Sequence, residues 1–422
     1  MMIVAKPSSL KGEVAIPASK SHTIRALLIA AMAEGESEIR NPLDSADTRS
    51  CADACRALGA DTSLGEVWKV SGFGGKPISP EAPIDVGNSG TTLYLGLSVA
   101  ALGDDWIEFT GDDQIKKRPS APLLDALKRL GAQVESSGDA GLCPIRVKGP
   151  IRGGETSLPC PTSQYLSSLL LACPLGSGRS RIEAVGLNEK PYVEMTLAWL
   201  DKMRIRYTHE DLARFDIPGG QQYAAFDDTI CGDFSSATFF LCAAALTGSD
   251  LTLLGLDMND AQGDKKVVEM LKEMGAEVEA GPLSIRVRGG ELRGRTFDLN
   301  DTPDALPAMA VTACFAKGET RLVNVPQARI KETDRIAVMR ETIEALGGDA
   351  TELPDGLVIR GGGLEGGQAP GHGDHRVVMA LAIAGLAARN PVTVDTAEAV
   401  DITFPSFVDL MSGAGADMRR CD

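Results

Sequence analysis

Six short polar turns, each opening a long apolar run, constrain this chain more than anything else in it. They are Ser19-Lys20-Ser21, Asn88-Ser89-Gly90-Thr91, Thr162-Ser163-Gln164, Asp233-Phe234-Ser235-Ser236, Thr302-Pro303-Asp304 and Gly373-Asp374-His375-Arg376. They recur about every 70 residues, a period that signals repeated architecture. A hydroxyl or carboxylate just before such a run accepts hydrogen bonds from the backbone N–H groups that a helix start leaves unpaired. The runs, such as Val377-Val378-Met379-Ala380-Leu381-Ala382-Ile383, are apolar all round, which predicts buried helices. Each unit then carries a second, amphipathic helix ending at Leu58-Gly59, Leu130-Gly131, Met203, Met274-Gly275, Leu346-Gly347 or Met411-Ser412-Gly413. A pair of short strands follows. Its second member reads alike in Ile145-Arg146-Val147-Lys148-Gly149, Ile285-Arg286-Val287-Arg288-Gly289 and Val358-Ile359-Arg360-Gly361. The predicted unit is β-α-β-α-β-β, in six copies of which the last is incomplete. The strand-like segment Gly12-Glu13-Val14-Ala15-Ile16-Pro17 is expected to lead into the first buried helix. Sheets must cover the apolar helices, so the fold class is α/β with helices inside and sheets outside.

A chain of 422 residues exceeds what one core holds and suggests two domains. Six units divide into three plus three, with the boundary near Asp227-Asp228-Thr229. The start, Met1-Met2-Ile3-Val4-Ala5-Lys6, lacks the apolar core of a signal peptide. No uninterrupted apolar segment reaches the roughly 18 residues of a membrane span, so no membrane partner is expected. The nine cysteines show no metal-ligand spacing; Cys173, Cys242 and Cys314 fall in apolar runs and read as core, which fits a reducing cytoplasm. A formal net charge of −16 argues against a nucleic-acid surface.

An acidic protein still binds small anions where basic residues converge. Cations at a helix start are unfavourable for the helix alone and make sense when an anion sits there. Lys20, Arg25 and His375-Arg376 are so placed. Two loop clusters add to them, Lys116-Lys117-Arg118-Pro119 and Arg329-Ile330-Lys331-Glu332-Thr333-Asp334-Arg335. Read singly, each of these is equally an ordinary capped helix or a solvated charge run.

Taken in order, these motifs are specific. Ser19-Lys20-Ser21 with Arg25, Gly87-Asn88-Ser89-Gly90-Thr91-Thr92, Arg118-Pro119, Thr162-Ser163-Gln164, Lys190-Pro191-Tyr192, the Arg329-to-Arg335 run and Asp374-His375-Arg376 resemble the 5-enolpyruvylshikimate-3-phosphate synthases, a family of enolpyruvyl transferases. The resemblance runs from Lys11 to Pro405. It implies two domains of three β-α-β-α-β-β units, 1–18 with 229–422 and 19–228, with the active site in the cleft between them. It also implies transfer of the enolpyruvyl group of phosphoenolpyruvate to the 5-hydroxyl of shikimate 3-phosphate, in the shikimate pathway to the aromatic amino acids. Neither a metal nor an organic cofactor is implied, and a cytoplasmic monomer acting on two small molecules is expected.

By the same resemblance Lys20, Asp304, Glu332 and His375 are the catalytic set, Asp304 as base for the 5-hydroxyl. Lys20, Ser21, Arg25, Thr162, Ser163, Gln164, Tyr192, Asp304 and Lys331 are to hold shikimate 3-phosphate. Lys20, Asn88, Gly90, Arg118, Gln164, Arg335 and Arg376 are to hold phosphoenolpyruvate. Two phosphates and two carboxylates explain so many cations, and addition followed by elimination explains a carboxylate beside a lysine. Gly90 has a further reason: a Cβ there would crowd a ligand on the helix start. Three positions depart from the family pattern. Tyr94 replaces an arginine; Glu189 replaces a serine that contacts the shikimate phosphate, where a carboxylate would repel phosphate unless it turns away; Ile402 replaces a lysine. They leave open a paralogue acting on another phosphorylated cyclitol. The UDP-N-acetylglucosamine enolpyruvyl transferases share the fold but usually carry a cysteine in a loop that here, from Gly111 to Arg118, has none.

Overall fold

In a computed structural model that describes residues 1–422, contacts divide the chain into two compact units. One is Ala18–Ile230; the other joins Met1–Pro17 to Cys231–Asp422. The strand Asp227–Thr229, which a cut at residue 228 would split, pairs with Glu36–Arg40 and stays whole in the first unit.

The first unit holds helices α1 (Lys20–Met32), α2 (Ala46–Ala57), α3 (Gly90–Ala100), α4 (Ala121–Arg129), α5 (Ser163–Ala172) and α6 (Lys190–Lys202). Helices α1, α3 and α5 are buried almost all round, as their uniform apolar character requires. Their starts are the polar turns: the hydroxyls of Ser19, Ser89 and Thr162 accept from the backbone N–H of His22, Thr92 and Gln164 at 3.5, 3.3 and 3.4 Å. With these helices filling the core, Leu28→Ala or Leu170→Ala costs about 2–5 kcal/mol. Three four-stranded sheets belong to this unit. In each, a parallel pair is extended by antiparallel strands. Gly154–Pro159 runs parallel to Ser180–Val185, which pairs antiparallel with Arg214–Ile217, which pairs in turn with Thr208–Glu210. Strands such as Val67–Ser71 alternate buried and wetter positions, the mark of a sheet with one face on the core.

The second unit repeats the plan with α7 (Phe234–Thr247), α8 (Lys266–Met274), α9 (Leu306–Cys314), α10 (Arg335–Ala345), α11 (His375–Ala384) and α12 (Phe407–Gly413). Helices α7, α9 and α11 are the buried ones. The carboxylates of Asp233 and Asp374 cap α7 and α11, accepting from Ser236 N at 3.0 Å and Arg376 N at 2.9 Å. Helix α9 differs. A 3₁₀ turn, Pro303–Ala305, stands between Thr302 and the helix, and it places Asp304 inside the turn rather than at a cap. Gly275 ends α8 in the left-handed region at φ 113°, where its N–H donates to Leu271 O at 3.1 Å. Cys173, Cys242 and Cys314 lie in the two cores. No helix is long and apolar enough to cross a membrane.

The strand before α1 leads into that helix but does not join its sheet, in keeping with the grouping of residues 1–18 with the second domain. Lys11–Ala15 pairs parallel with Asp250–Leu254 in the second unit, and the strand that completes α1's sheet is Asp227–Thr229. The sixth repeat, read as incomplete, does end one strand short in the chain, and the missing strand comes from the chain start. Met2–Lys6 lies between Val392–Val394 and Asp417–Cys421, antiparallel to both, and gives the sixth sheet its fourth strand. Backbone groups on those two strands would otherwise lack ladder partners, so the chain start is used to satisfy them.

Candidate active site

In the first unit the expected residues gather at the starts of α1, α3 and α5. Lys20 is the first residue of α1, and its Nζ lies 3.0 Å from Asp47 Oδ2. Asp47 is itself buried in the first turn of α2, held by the reciprocal Ser45 and Thr48 cap. Arg25, one turn into α1, is 2 % exposed, and its partners are neutral. It donates to Ser21 O at 3.0 Å, Tyr192 O at 3.0 Å and Thr196 Oγ1 at 2.9 Å. Burial lowers its pKa to about 10, partly offset by Tyr192.

Around α3, Asn88 Nδ2 donates to Asp112 Oδ2 at 2.6 Å and to Gln114 Oε1 at 2.7 Å, which ties the turn to the loop leading to Arg118. Gly90 has a structural reason of its own here. A Cβ on it would meet Arg118 Nη1 at 2.2 Å, so the missing side chain is what admits the guanidinium. Gln164 Nε2 donates to Thr91 Oγ1 at 3.3 Å, linking the α5 start to the α3 start. Tyr94 is not simply a lost arginine. Its hydroxyl and that of Tyr165 both donate to Pro119 O, at 3.1 and 2.5 Å, with the rings edge-on 5.1 Å apart. The pair braces the Arg118-Pro119 peptide. The Glu189 carboxylate does not turn away: it points in, onto Thr162 and Ser163, where three donors converge.

In the second unit Asp304, Glu332, Arg335, Asp374 and Arg376 form one ion-pair network. Arg335 is fully buried. It donates to Asp374 Oδ2 and Oδ1 at 2.8 and 3.2 Å, to Asp304 Oδ1 at 2.8 Å and to Glu332 Oε2 at 2.5 Å. Arg376 Nη2 lies 2.9 Å from the other Asp304 oxygen. Burial alone would raise the Asp304 pKa; the charges of Arg376, Lys331 and Arg335 outweigh it and hold the carboxyl far below its usual range. Asp374 follows the same pattern: burial opposes its charge, and Arg335 more than compensates. Asp264, hydrogen-bonded by Ser235, goes the other way; burial, then the Asp304 charge, pushes it up to about 7. His375 is buried at the start of α11 and adds positive field at Asp374. Ile402 ends a 3₁₀ turn and is half-buried, five residues before α12 starts at Phe407.

Arg335 was read as a direct anion ligand, and its partners here are three carboxylates. Asp47, Asp264 and Asp374 were not among the site residues read from sequence. The only signal for Asp374 was its place before His375-Arg376. Asp47 gave none, since nothing local ties it to Lys20.

The chain is similar to known proteins over nearly its whole length. The family model described as EPSP synthase (3-phosphoshikimate 1-carboxyvinyltransferase) matches residues 4–411. A relative from Acetivibrio thermocellus named 3-phosphoshikimate 1-carboxyvinyltransferase is 54 % identical over 100 % of both chains. One of the same name from Ruminiclostridium cellulolyticum is 52 % identical over 99 % of this chain and 100 % of the relative. Among solved structures, an EPSP synthase from Acinetobacter baumannii superposes with a TM-score of 0.83 at 27 % identity, covering 99 % of this chain and 100 % of that one.

Proposed function

The chain belongs to the EPSP synthase family, the 3-phosphoshikimate 1-carboxyvinyltransferases, and on that premise we propose how its own side chains transfer the enolpyruvyl group of phosphoenolpyruvate to the 5-hydroxyl of shikimate 3-phosphate with release of phosphate. One observation carries the assignment. The Asp304 carboxylate is shared by Arg335 at 2.8 Å and Arg376 at 2.9 Å, with Glu332 on the same Arg335.

Asp304 is the base for the 5-hydroxyl. Its depressed pKa makes it a weak proton acceptor while both arginines hold it. Phosphoenolpyruvate brings a phosphate and a carboxylate, the anions that bidentate guanidinium groups prefer. Drawing Arg376 and Arg335 toward these groups weakens their hold on Asp304, and its basicity rises with substrate in place. Glu332 and Lys20 share the remaining proton steps. A proton goes to the terminal carbon of phosphoenolpyruvate as the 5-oxygen bonds to the central carbon; elimination returns that proton to the protein and expels phosphate. Asp47 keeps Lys20 extended at the α1 start. Gly90, Arg118, Asn88 and Gln164 receive phosphoenolpyruvate. Ser21, Arg25, Thr162, Ser163, Gln164, Tyr192 and Lys331 receive shikimate 3-phosphate. We take the protein to act in the cytoplasm as a monomer, with small molecules as its partners. Its nine cysteines, none in a disulfide, support a reducing compartment.

The test is phosphate release from phosphoenolpyruvate, which should require shikimate 3-phosphate and should not occur with UDP-N-acetylglucosamine. Asp304→Asn keeps the shape and removes the base, so turnover should fall by about 10² or more. Calorimetry should still show shikimate 3-phosphate binding; binding lost with turnover per bound substrate intact would refute the role.

A further inference from the structure

The start of α5 is where Thr162 and Ser163 are assigned to the acceptor's phosphate, and a carboxylate of the protein already fills it. Glu189 Oε2 accepts from Thr162 Oγ1 at 3.0 Å, Ser163 N at 3.1 Å and Ser163 Oγ at 2.8 Å. Glu189 and Ser163 are each 1 % exposed. Two hydroxyls and a backbone N–H converging on one oxygen at a helix start are the donors of an anion site. Glu189 also sits in the left-handed region at φ 58°, which a residue with a Cβ rarely adopts unless its surroundings hold it there. Tyr192 N donates to Glu189 O at 3.0 Å, and Tyr192 O in turn accepts from buried Arg25 at 3.0 Å. The turn that carries the carboxylate is therefore tied to a cation whose own hydrogen-bond partners are neutral.

We propose that Glu189 is an internal counter-anion that competes with the acceptor's phosphate for the α5 start, so that the acceptor binds by exchange. The inference rests on the reading above that this seat takes the phosphate of shikimate 3-phosphate. A phosphate oxygen and the Glu189 carboxylate need the same three donors, and like charges do not share one seat. An internal carboxylate also stands at high effective concentration, so a ligand gripped only at this point cannot easily displace it. A phosphate attached to a ring that makes further contacts can. The arrangement therefore discriminates against free inorganic anions and in favour of the complete phosphorylated acceptor, at the cost of a weaker apparent affinity for it.

The experiment compares the protein with Glu189→Ser, which supplies a hydroxyl donor, and Glu189→Gln, which keeps the shape without the charge. Inorganic phosphate is titrated by calorimetry, and initial rates are measured with each substrate varied. If the carboxylate holds the seat 90–99 % of the time, it raises the apparent dissociation constant about 10- to 100-fold. Both variants should then bind inorganic phosphate at least about 10-fold more tightly. The KM for shikimate 3-phosphate should fall in both, with a smaller change in the KM for phosphoenolpyruvate. Phosphate binding that is unchanged or weaker in cooperatively melting variants would overturn the proposal and make Glu189 a strut for the α5–α6 junction. Absence of turnover with shikimate 3-phosphate in the unaltered protein would instead overturn the assigned reaction, and the phosphate titration would still decide who holds the seat.

Discussion

Arg335→Met is the sharpest test of the second unit's network, because the consequence can be worked from its contacts. The guanidinium is fully buried and bridges Asp374, Asp304 and Glu332 at 2.5–3.2 Å. Asp374 is 0 % exposed, and the side chains of Asp304 and Glu332 are 16 % and 11 % exposed. Breaking a buried pair by removing one partner costs about 3–5 kcal/mol, since the remaining charge is left uncompensated. Here Asp374 loses its guanidinium and keeps only neutral donors among its hydrogen bonds, including Thr333 Oγ1 at 3.0 Å and Arg376 N at 2.9 Å, whereas Asp304 keeps the Arg376 side chain. Arg335→Lys retains a charge but is a compact ammonium that cannot span three carboxylates, so about half of that loss is expected.

The pH dependence separates this cause from a mere packing defect. The folded-state pKa of Asp374 lies below its unfolded value, so the stability it contributes is present above about pH 4 and is lost as pH falls through the folded value. Removing Arg335 deletes that contribution. The carboxyl left buried without Arg335 protonates at a higher pH than in the native network, so the penalty should be full at pH 7.5 and smaller at pH 4. Urea unfolding followed by circular dichroism measures it. Trp68, Trp106 and Trp199, all the tryptophans in the chain, belong to the first unit, so their fluorescence is an internal control that should shift less. An equal penalty at both pH values would show that the void left by the side chain, and not the stranded charge, causes the loss.

Three further outcomes follow from single contacts. Asp47→Ala removes the partner 3.0 Å from Lys20 Nζ, and kcat measured by initial rates should drop roughly 10- to 100-fold, the usual scale for a positioned proton-transfer group. Gly90→Ala puts a Cβ 2.2 Å from Arg118 Nη1 and forces that side chain aside; the KM for phosphoenolpyruvate should rise about 10-fold, the loss of one charge-assisted hydrogen bond, and initial-rate kinetics reads it directly. Asp264 has a folded pKa raised to about 7, so its contribution to stability is complete below pH 4 and is lost as pH rises to 7. Relative to Asp264→Asn, the protein should lose up to about 1.4 kcal/mol per pH unit over that window and nothing more above it, as urea midpoints across pH will show.

The repeats are legible because each is specified locally. A capping side chain followed by an all-apolar run needs no knowledge of the rest of the chain, and Ser19, Ser89, Thr162, Asp233 and Asp374 all cap in the structure. The strand exchange is not legible for the converse reason. Lys11–Ala15 and Asp227–Thr229 are both short and half-wet, and nothing in either says which helix's sheet it joins. Pairing is decided between segments about 190 and about 240 residues apart, where loop closure adds cost only slowly with length. The carboxylates that hold the cations escape for the same reason. Lys20 and Arg335 can be read as anion binders from their motifs, but Asp47 and Asp374 become their partners only once the fold brings them within 3.0 Å.

That pairing changes what binding means in this protein. Lys20 has Asp47, the α5 start has Glu189, and Arg335 and Arg376 have Asp304, Glu332 and Asp374. The chain is strongly acidic, at −16, yet its cations are arranged for anions. A bare cluster of buried cations would destabilise each unit by mutual repulsion and desolvation, so the internal carboxylates make the cluster compatible with folding. An anionic substrate reaching these groups must then replace a protein carboxylate, and its affinity is the difference between two charge-assisted sets of hydrogen bonds. Such an exchange leaves the number of unpaired cations almost unchanged. Affinity for both substrates should accordingly depend less on salt than the number of cations in the site would suggest, because few exposed, screenable charges are gained or lost.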